Sequence, residues 1–145
     1  MHIRFRLTMV LLGESLLLAG CERTSVPATE GVSAAEATQT ESRVIELNDM
    51  NFVAQISKGI ALVDFWAPWC GPCRTQGPIV ETVARQLGDT AKIAKINVDN
   101  APATSKSFDI QSIPTLIVFK DGKPVKQFQG VTSAEELIEA IKAAQ

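Results

Sequence analysis

Cys70 and Cys73, separated only by Gly71 and Pro72, form a Cys-x-x-Cys pair directly after the apolar run Ile60-Ala61-Leu62-Val63-Asp64-Phe65-Trp66. At a strand-to-helix junction this spacing points to thiol redox chemistry. Cys70 is expected where the first N–H groups of a helix point outward unpaired. Those donors, with the positive end of the helix dipole, favour a thiolate. Cys73 falls one turn into the same helix, close enough to attack a mixed disulfide formed at Cys70. Pro72 suits the first turn because its missing N–H is not needed there. As a structural staple the pair would achieve little, since closing so short a loop removes little unfolded-state entropy. As half of a zinc site it would need two more ligands, and the domain has neither a histidine nor a second cysteine pair to supply them. Asp64 is the other unusual residue. A carboxylate inside an apolar strand loses hydration, which raises its pKa and makes it a usable base near neutrality. The competing reading is a buried acid paired for structure, with Lys95 on the neighbouring strand as its partner.

The elements that must position these groups are legible from periodicity. A short strand is expected at 44–47 and a helix after it, capped near Asn48 or Asp49 with Phe52 and Ile56 on one face. Residues 60–66 read as a strand covered on both faces. A helix follows from about 70 to 87, ended by Gly88 and kinked at Pro78. Strands are predicted at 93–98 and 115–119, with a short helix at 101–108 between them. Asp121-Gly122 marks a hairpin turn into a strand at 125–129. Ser133 with Glu136 opens a final helix whose apolar stripe is Leu137, Ile138, Ile141 and Ala144. The order βαβαβαββα predicts an α/β domain over 43–145, with a central, partly parallel sheet and helices on both faces.

Composition bounds the rest. The chain has 145 residues, 46% hydrophobic and 21% charged, enough for one domain with a core plus an additional segment. A formal net charge of −2 gives no electrostatic case for nucleic acid. No uninterrupted apolar run is long enough to span a bilayer. The only histidine is His2, which argues against histidine catalysis or a histidine-ligated metal. Residues 1–20 read as a signal segment: Arg4 and Arg6, then a mostly apolar stretch broken by Glu14. Leu18-Ala19-Gly20-Cys21 resembles the bacterial lipoprotein signal, which implies lipidation of Cys21 and a lipid anchor. A cleaved secretory signal or an uncleaved anchor are the alternatives. Residues 21–42, poor in large apolar side chains and rich in Ala, Thr, Ser and Glu, are expected to form a disordered tether.

Trp66-Ala67-Pro68-Trp69-Cys70-Gly71-Pro72-Cys73 closely resembles the active-site motif of the thioredoxin family. The similarity covers essentially all of 44–144. Leu62-Val63-Asp64-Phe65, Lys95-Ile96-Asn97-Val98-Asp99, Ile113-Pro114-Thr115 and Phe119-Lys120-Asp121-Gly122 follow in the family's order and spacing. The resemblance implies a thioredoxin fold with a mixed five-stranded sheet, and a disulfide oxidoreductase with no bound cofactor or metal beyond its own Cys70–Cys73 disulfide. It implies that Cys70 attacks, that Cys73 resolves, and that Asp64 assists deprotonation of Cys73. Lys95, Gly71, Pro72 and Pro114 would support the site. Pro114 fits an ordinary first strand residue, but the family holds the matching bond cis, facing the cysteines. Ile113 would then offer its backbone to an extended substrate segment. Trp69, Gly130 and Val131 match the contact surface, and Trp66 reads as packing. Gly71-Pro72 resembles reducing members, whereas the family's strong oxidants usually carry a histidine between the cysteines. The expected function is reduction of protein disulfides by a monomeric, exported, lipid-anchored protein recharged by a membrane thiol donor. A soluble periplasmic or cytoplasmic location is the alternative placement. The short 99–110 connection lacks the insertion common in cytochrome-maturation members. An exported oxidase or isomerase, and a non-catalytic binding module on the same fold, are the competing functions.

Overall fold

The computed structural model describes residues 42–145. The expected signal segment, Cys21 and the tether as far as residue 41 lie outside the described residues. Ser42, assigned above to the end of the tether, already touches the domain. Its hydroxyl donates to Glu81 Oε1 at 2.7 Å and accepts the Val44 N–H at 3.2 Å.

The strands are β1 (Ile45–Leu47), β2 (Ile60–Trp66), β3 (Lys92–Asn97), β4 (Thr115–Lys120) and β5 (Lys123–Gln129). They form one mixed sheet in the order β1-β3-β2-β4-β5. β1 and β2 run parallel to β3, while β4 is antiparallel to β2 and to β5. β2 is therefore central. Because side chains alternate across a strand, it supplies both cores. Leu62 joins Ile93, Leu116 and Val118 beneath α2 (Gly71–Leu87) and α4 (Ala134–Ala143). Ala61, Val63 and Phe65 face the other way, with Ala94, Ile96, Ile117 and Phe119, toward α1 (Phe52–Ile56) and the segment around α3 (Pro102–Ser107). There Phe52, Phe65, Phe108 and Phe119 meet at tilted and edge-to-face angles, with centroids 5.2 to 6.4 Å apart. The α/β class, the mixed five-stranded sheet and the two helical layers are as the sequence predicts.

The helix ends show which local signals act. α2 runs unbroken through Pro78 to Leu87, and the Gly88 N–H, at φ 53°, closes onto the Ala84 carbonyl. A short 3₁₀ turn at Gly88–Thr90 leads into β3. Ser133 Oγ accepts the Glu136 N–H at 3.2 Å and caps α4. Asp121 and Gly122 both have positive φ, 48° and 80°, the twist a two-residue hairpin needs.

One expected cap is corrected. Asp49 does not cap α1, whose N-cap is Asn51. Asn48 Oδ1 instead accepts the N–H groups of Met50 and Asn51, turning the chain into the helix. The Asp49 carboxylate reaches across to α3, accepting from the Ala103 N–H, the Thr104 N–H and the Thr104 hydroxyl at 3.3, 2.8 and 2.6 Å. α3 begins at Pro102 and has no side-chain cap of its own at Ala101, so its free donors take a carboxylate from a distant turn.

Candidate active site

Cys70 is the N-cap of α2, with an extended backbone at φ −81° and ψ 113°. It is bonded to Cys73, with an S–S distance of 2.10 Å and a Cα–Cα distance of 5.3 Å, so the oxidised form is the one described. The local sequence makes this geometry. The Cys70 N–H donates to the Ala67 carbonyl at 3.1 Å, which turns the chain out of β2, and Gly71-Pro72 opens the helix. Cys70 Sγ accepts the Cys73 N–H at 3.2 Å, so a free donor at the helix end points at that sulfur. Both cysteines are buried, whereas Gly71 and Pro72 are exposed.

The Ile113–Pro114 peptide is cis, and the Ile113 carbonyl oxygen lies 3.7 Å from Cys70 Sγ. A disulfide sulfur carries no proton, so in this state the approach is a van der Waals contact and not a hydrogen bond. Pro114 is buried, while its carbonyl accepts the Gly130 N–H at 2.8 Å. Ile113, Pro114, Gly130 and the dithiol are thereby linked through contacts and a hydrogen bond, and Val131, next to Gly130, is 49% exposed. Trp69 is 67% exposed, with its indole N–H held by Asp99 Oδ2 at 2.9 Å. Trp66 is half-buried and packs against the cysteines.

Asp64 lines the same cavity as Cys73. It is 3% exposed, and its Oδ1 has no hydrogen-bond partner among the described residues. Burial pushes its carboxyl from the usual 3.8 up to about 7, opposed by the charge of Lys95. Asp64, Cys73, Trp66, Arg74, Gly77 and Lys95 line a cavity of about 160 Å³.

Lys95 is not the ion-pair partner considered for Asp64. It stands opposite Asp64 on one side and opposite Glu46 on the other, in register across three neighbouring strands. Its ammonium bonds Glu46 Oε1 at 3.1 Å and lies 5.6 Å from the centroid of the Trp66 ring. The half-exposed amine keeps more of its hydration beside Glu46 than it would deeper in the core, so Asp64 feels its field without a bond.

Three further participants were not identified from sequence. Asp99 stands within a quoted motif, but nothing local marks it as the anchor of Trp69. Glu46 is one acidic residue in a short strand. Gln76, fully buried on α2, bonds the backbone of Thr132 with both ends of its amide. Its polarity within the apolar helix face was the available signal.

Residues 43–143 match the family model described as Thioredoxin. The chain is similar to the protein named thioredoxin of Staphylococcus saprophyticus, with 46% identity over 99 residues, 68% of this chain and 95% of that one. It is likewise similar to the thioredoxins of Staphylococcus haemolyticus, at 45% over 98 residues, and of Staphylococcus aureus, at 42% over 98 residues. Both alignments cover 68% of this chain and 94% of the relative.

Proposed function

This chain belongs to the thioredoxin family of thiol–disulfide oxidoreductases, is itself a protein-disulfide reductase, and from that premise we propose that Cys70 and Cys73 are the dithiol through which it acts. In the reduced state the Cys70 thiolate attacks one sulfur of a substrate disulfide. A mixed disulfide forms and the other substrate sulfur leaves as a thiolate. Cys73 loses its proton to the Asp64 carboxylate and attacks Cys70 Sγ, expelling the second substrate thiolate. Two electrons have then passed to the substrate, the Cys70–Cys73 disulfide has formed, and Asp64 holds a proton that it releases through the adjoining cavity. A carboxyl with a pKa near 7 can both take and return that proton at neutral pH.

The observation that carries this reading is the placement of one sulfur at a helix amino end, with its neighbour sharing a cavity with an unpaired, buried carboxylate. The substrate lies along Trp69, Ile113, Gly130 and Val131, pairing with the backbone of Ile113. Reduction is favoured over oxidation because Gly71 and Pro72 place no cation between the cysteines. A reduced form without that stabilisation is the better donor. The test is turnover of a peptide disulfide by the pre-reduced protein. Wild type should produce two thiols per dithiol consumed and Cys70→Ser none. Reduction by the serine variant would overturn the assignment.

The pattern Leu18-Ala19-Gly20-Cys21 supports export and a lipid anchor at Cys21, which would hold the domain beside a membrane thiol donor. Intact mass of the protein extracted from membranes tests this. Loss of the first twenty residues together with added acyl mass is expected, and an unprocessed or unacylated mass would refute it.

A further inference from the structure

Gln76 is an uncharged polar side chain with 0% exposure, one turn beyond Cys73 on α2. Its Oε1 accepts the Thr132 N–H at 2.8 Å, and its Nε2 donates to the Thr132 carbonyl at 3.3 Å. Only one orientation of the amide satisfies both contacts, so the pair is mutually specified. Thr132 sits in the connection between β5 and α4, outside any ladder, so without Gln76 both of its backbone groups would be buried without these partners. Its hydroxyl bonds the Gly130 carbonyl at 3.3 Å, and the Gly130 N–H bonds the Pro114 carbonyl at 2.8 Å. A continuous set of hydrogen bonds thus runs from the helix carrying both cysteines, through the 130–132 loop, to the residue that follows Ile113.

Gly130 has a positive φ of 84°, which glycine adopts readily, and a Cβ at this position would meet no neighbouring atom, so no side chain of its own helps to anchor it. Val131, between the two anchored residues, presents a half-exposed apolar side chain next to the Gly130 whose N–H is tied to Pro114. The geometry points to Gln76 as a positioning residue for substrate: its amide clamps Thr132 and so fixes Gly130 and Val131 at the distance from Cys70 that an extended peptide needs. This rests on the reading that the 130–131 loop contacts substrate, and it assigns the precision of that contact to a side chain that itself touches none. The occupant is an extended peptide segment flanking a disulfide, since the loop and Ile113 offer backbone groups and an apolar side chain and no charge.

The test is Gln76→Met, which keeps the volume and removes both hydrogen bonds, assayed with a disulfide-bonded peptide of about ten residues. Loosening the loop by the equivalent of one buried hydrogen bond should raise KM about five- to tenfold, while kcat changes less than about twofold because the chemistry at the sulfurs is untouched. A fall in kcat at constant KM, or no change in either, overturns the proposal. Should the variant not fold, amide exchange in the oxidised wild type decides whether the clamp is closed. The Thr132 N–H should exchange at least about a hundredfold more slowly than an open-loop amide, and exchange at the open-loop rate overturns the proposal. Absence of any peptide turnover by wild type would count against the reductase reading, whereas a wild-type rate with an unaltered KM in the variant counts against the clamp alone.

Discussion

Replacing Asp64 by Asn separates a buried carboxyl from every other contribution to stability. In the folded oxidised protein this group titrates at about 7, against 3.8 in an exposed chain. Below pH 3.8 the acid is protonated in both states, and its ionisation contributes nothing to the balance. Between 3.8 and about 7 the unfolded chain has released this proton while the folded one keeps it, so stability falls as pH rises. Above about 7 the full cost is present. At about 1.4 kcal/mol per pH unit, the gap between the two values amounts to a loss on the order of 4 kcal/mol. Asn cannot ionise, so the variant lacks this slope. Its own cost, an amide without good partners, does not change with pH and cancels when differences are compared across pH. The assay is urea unfolding of both proteins in the disulfide form, in which the active-site cysteines do not titrate, at intervals from pH 4 to 8. The advantage of Asp64→Asn over wild type should grow steadily to about pH 7 and then level off. Parallel curves would show that Asp64 ionises normally, and the argument from burial would fail with them. Under the proposed mechanism the same variant should slow release of substrate from the mixed disulfide most strongly near neutral pH, because Cys73 would lack the Asp64 carboxylate as its base.

Other changes test neighbouring parts of the argument. Lys95→Met removes the cation that holds the Asp64 carboxyl down, so the midpoint of that titration, followed by carboxyl infrared absorption, should move above its wild-type position near 7. Cys73→Ser should leave the attack by Cys70 intact and accumulate a mixed disulfide, visible as protein plus peptide mass under non-reducing conditions. Leu137→Ala, at a fully buried position under the sheet, should lower unfolding free energy by about 2–5 kcal/mol. Asp49 is held below the usual carboxylate value by the Thr104 hydroxyl and N–H. The stability it supplies is present above pH 3.8 and is lost as pH falls through its lowered folded value, so Asp49→Ala should destabilise at pH 7 and lose that difference in strong acid.

What was readable in the sequence was what neighbours along the chain determine. The apolar run at β2, the glycine after α2, the Ser133 cap and the Asp121-Gly122 turn all act over a few residues, and each element lies within a residue or two of its expected place. The dithiol was legible for the same reason, since both sulfurs belong to one helical turn. The misassigned contacts depend on strand register and on segments brought together from far apart. Lys95 had two acidic neighbours to choose between, and periodicity names neither. Only the parallel pairing of β1 with β3 places Glu46 beside it. Asp49 and Gln76 find partners more than fifty positions away. For such residues a polar side chain signals that a partner exists, without saying which.

The sheet's two margins complete the account. β1 contributes only three residues at one rim, and β5 at the other carries Lys123, Pro124 and Lys126, with Pro124 unable to donate a hydrogen bond. Another chain approaching either rim would meet too short a template on one side, and charge with an interrupted ladder on the other. Among the described residues, neither rim of the sheet therefore offers a second folded copy an easy ladder to extend.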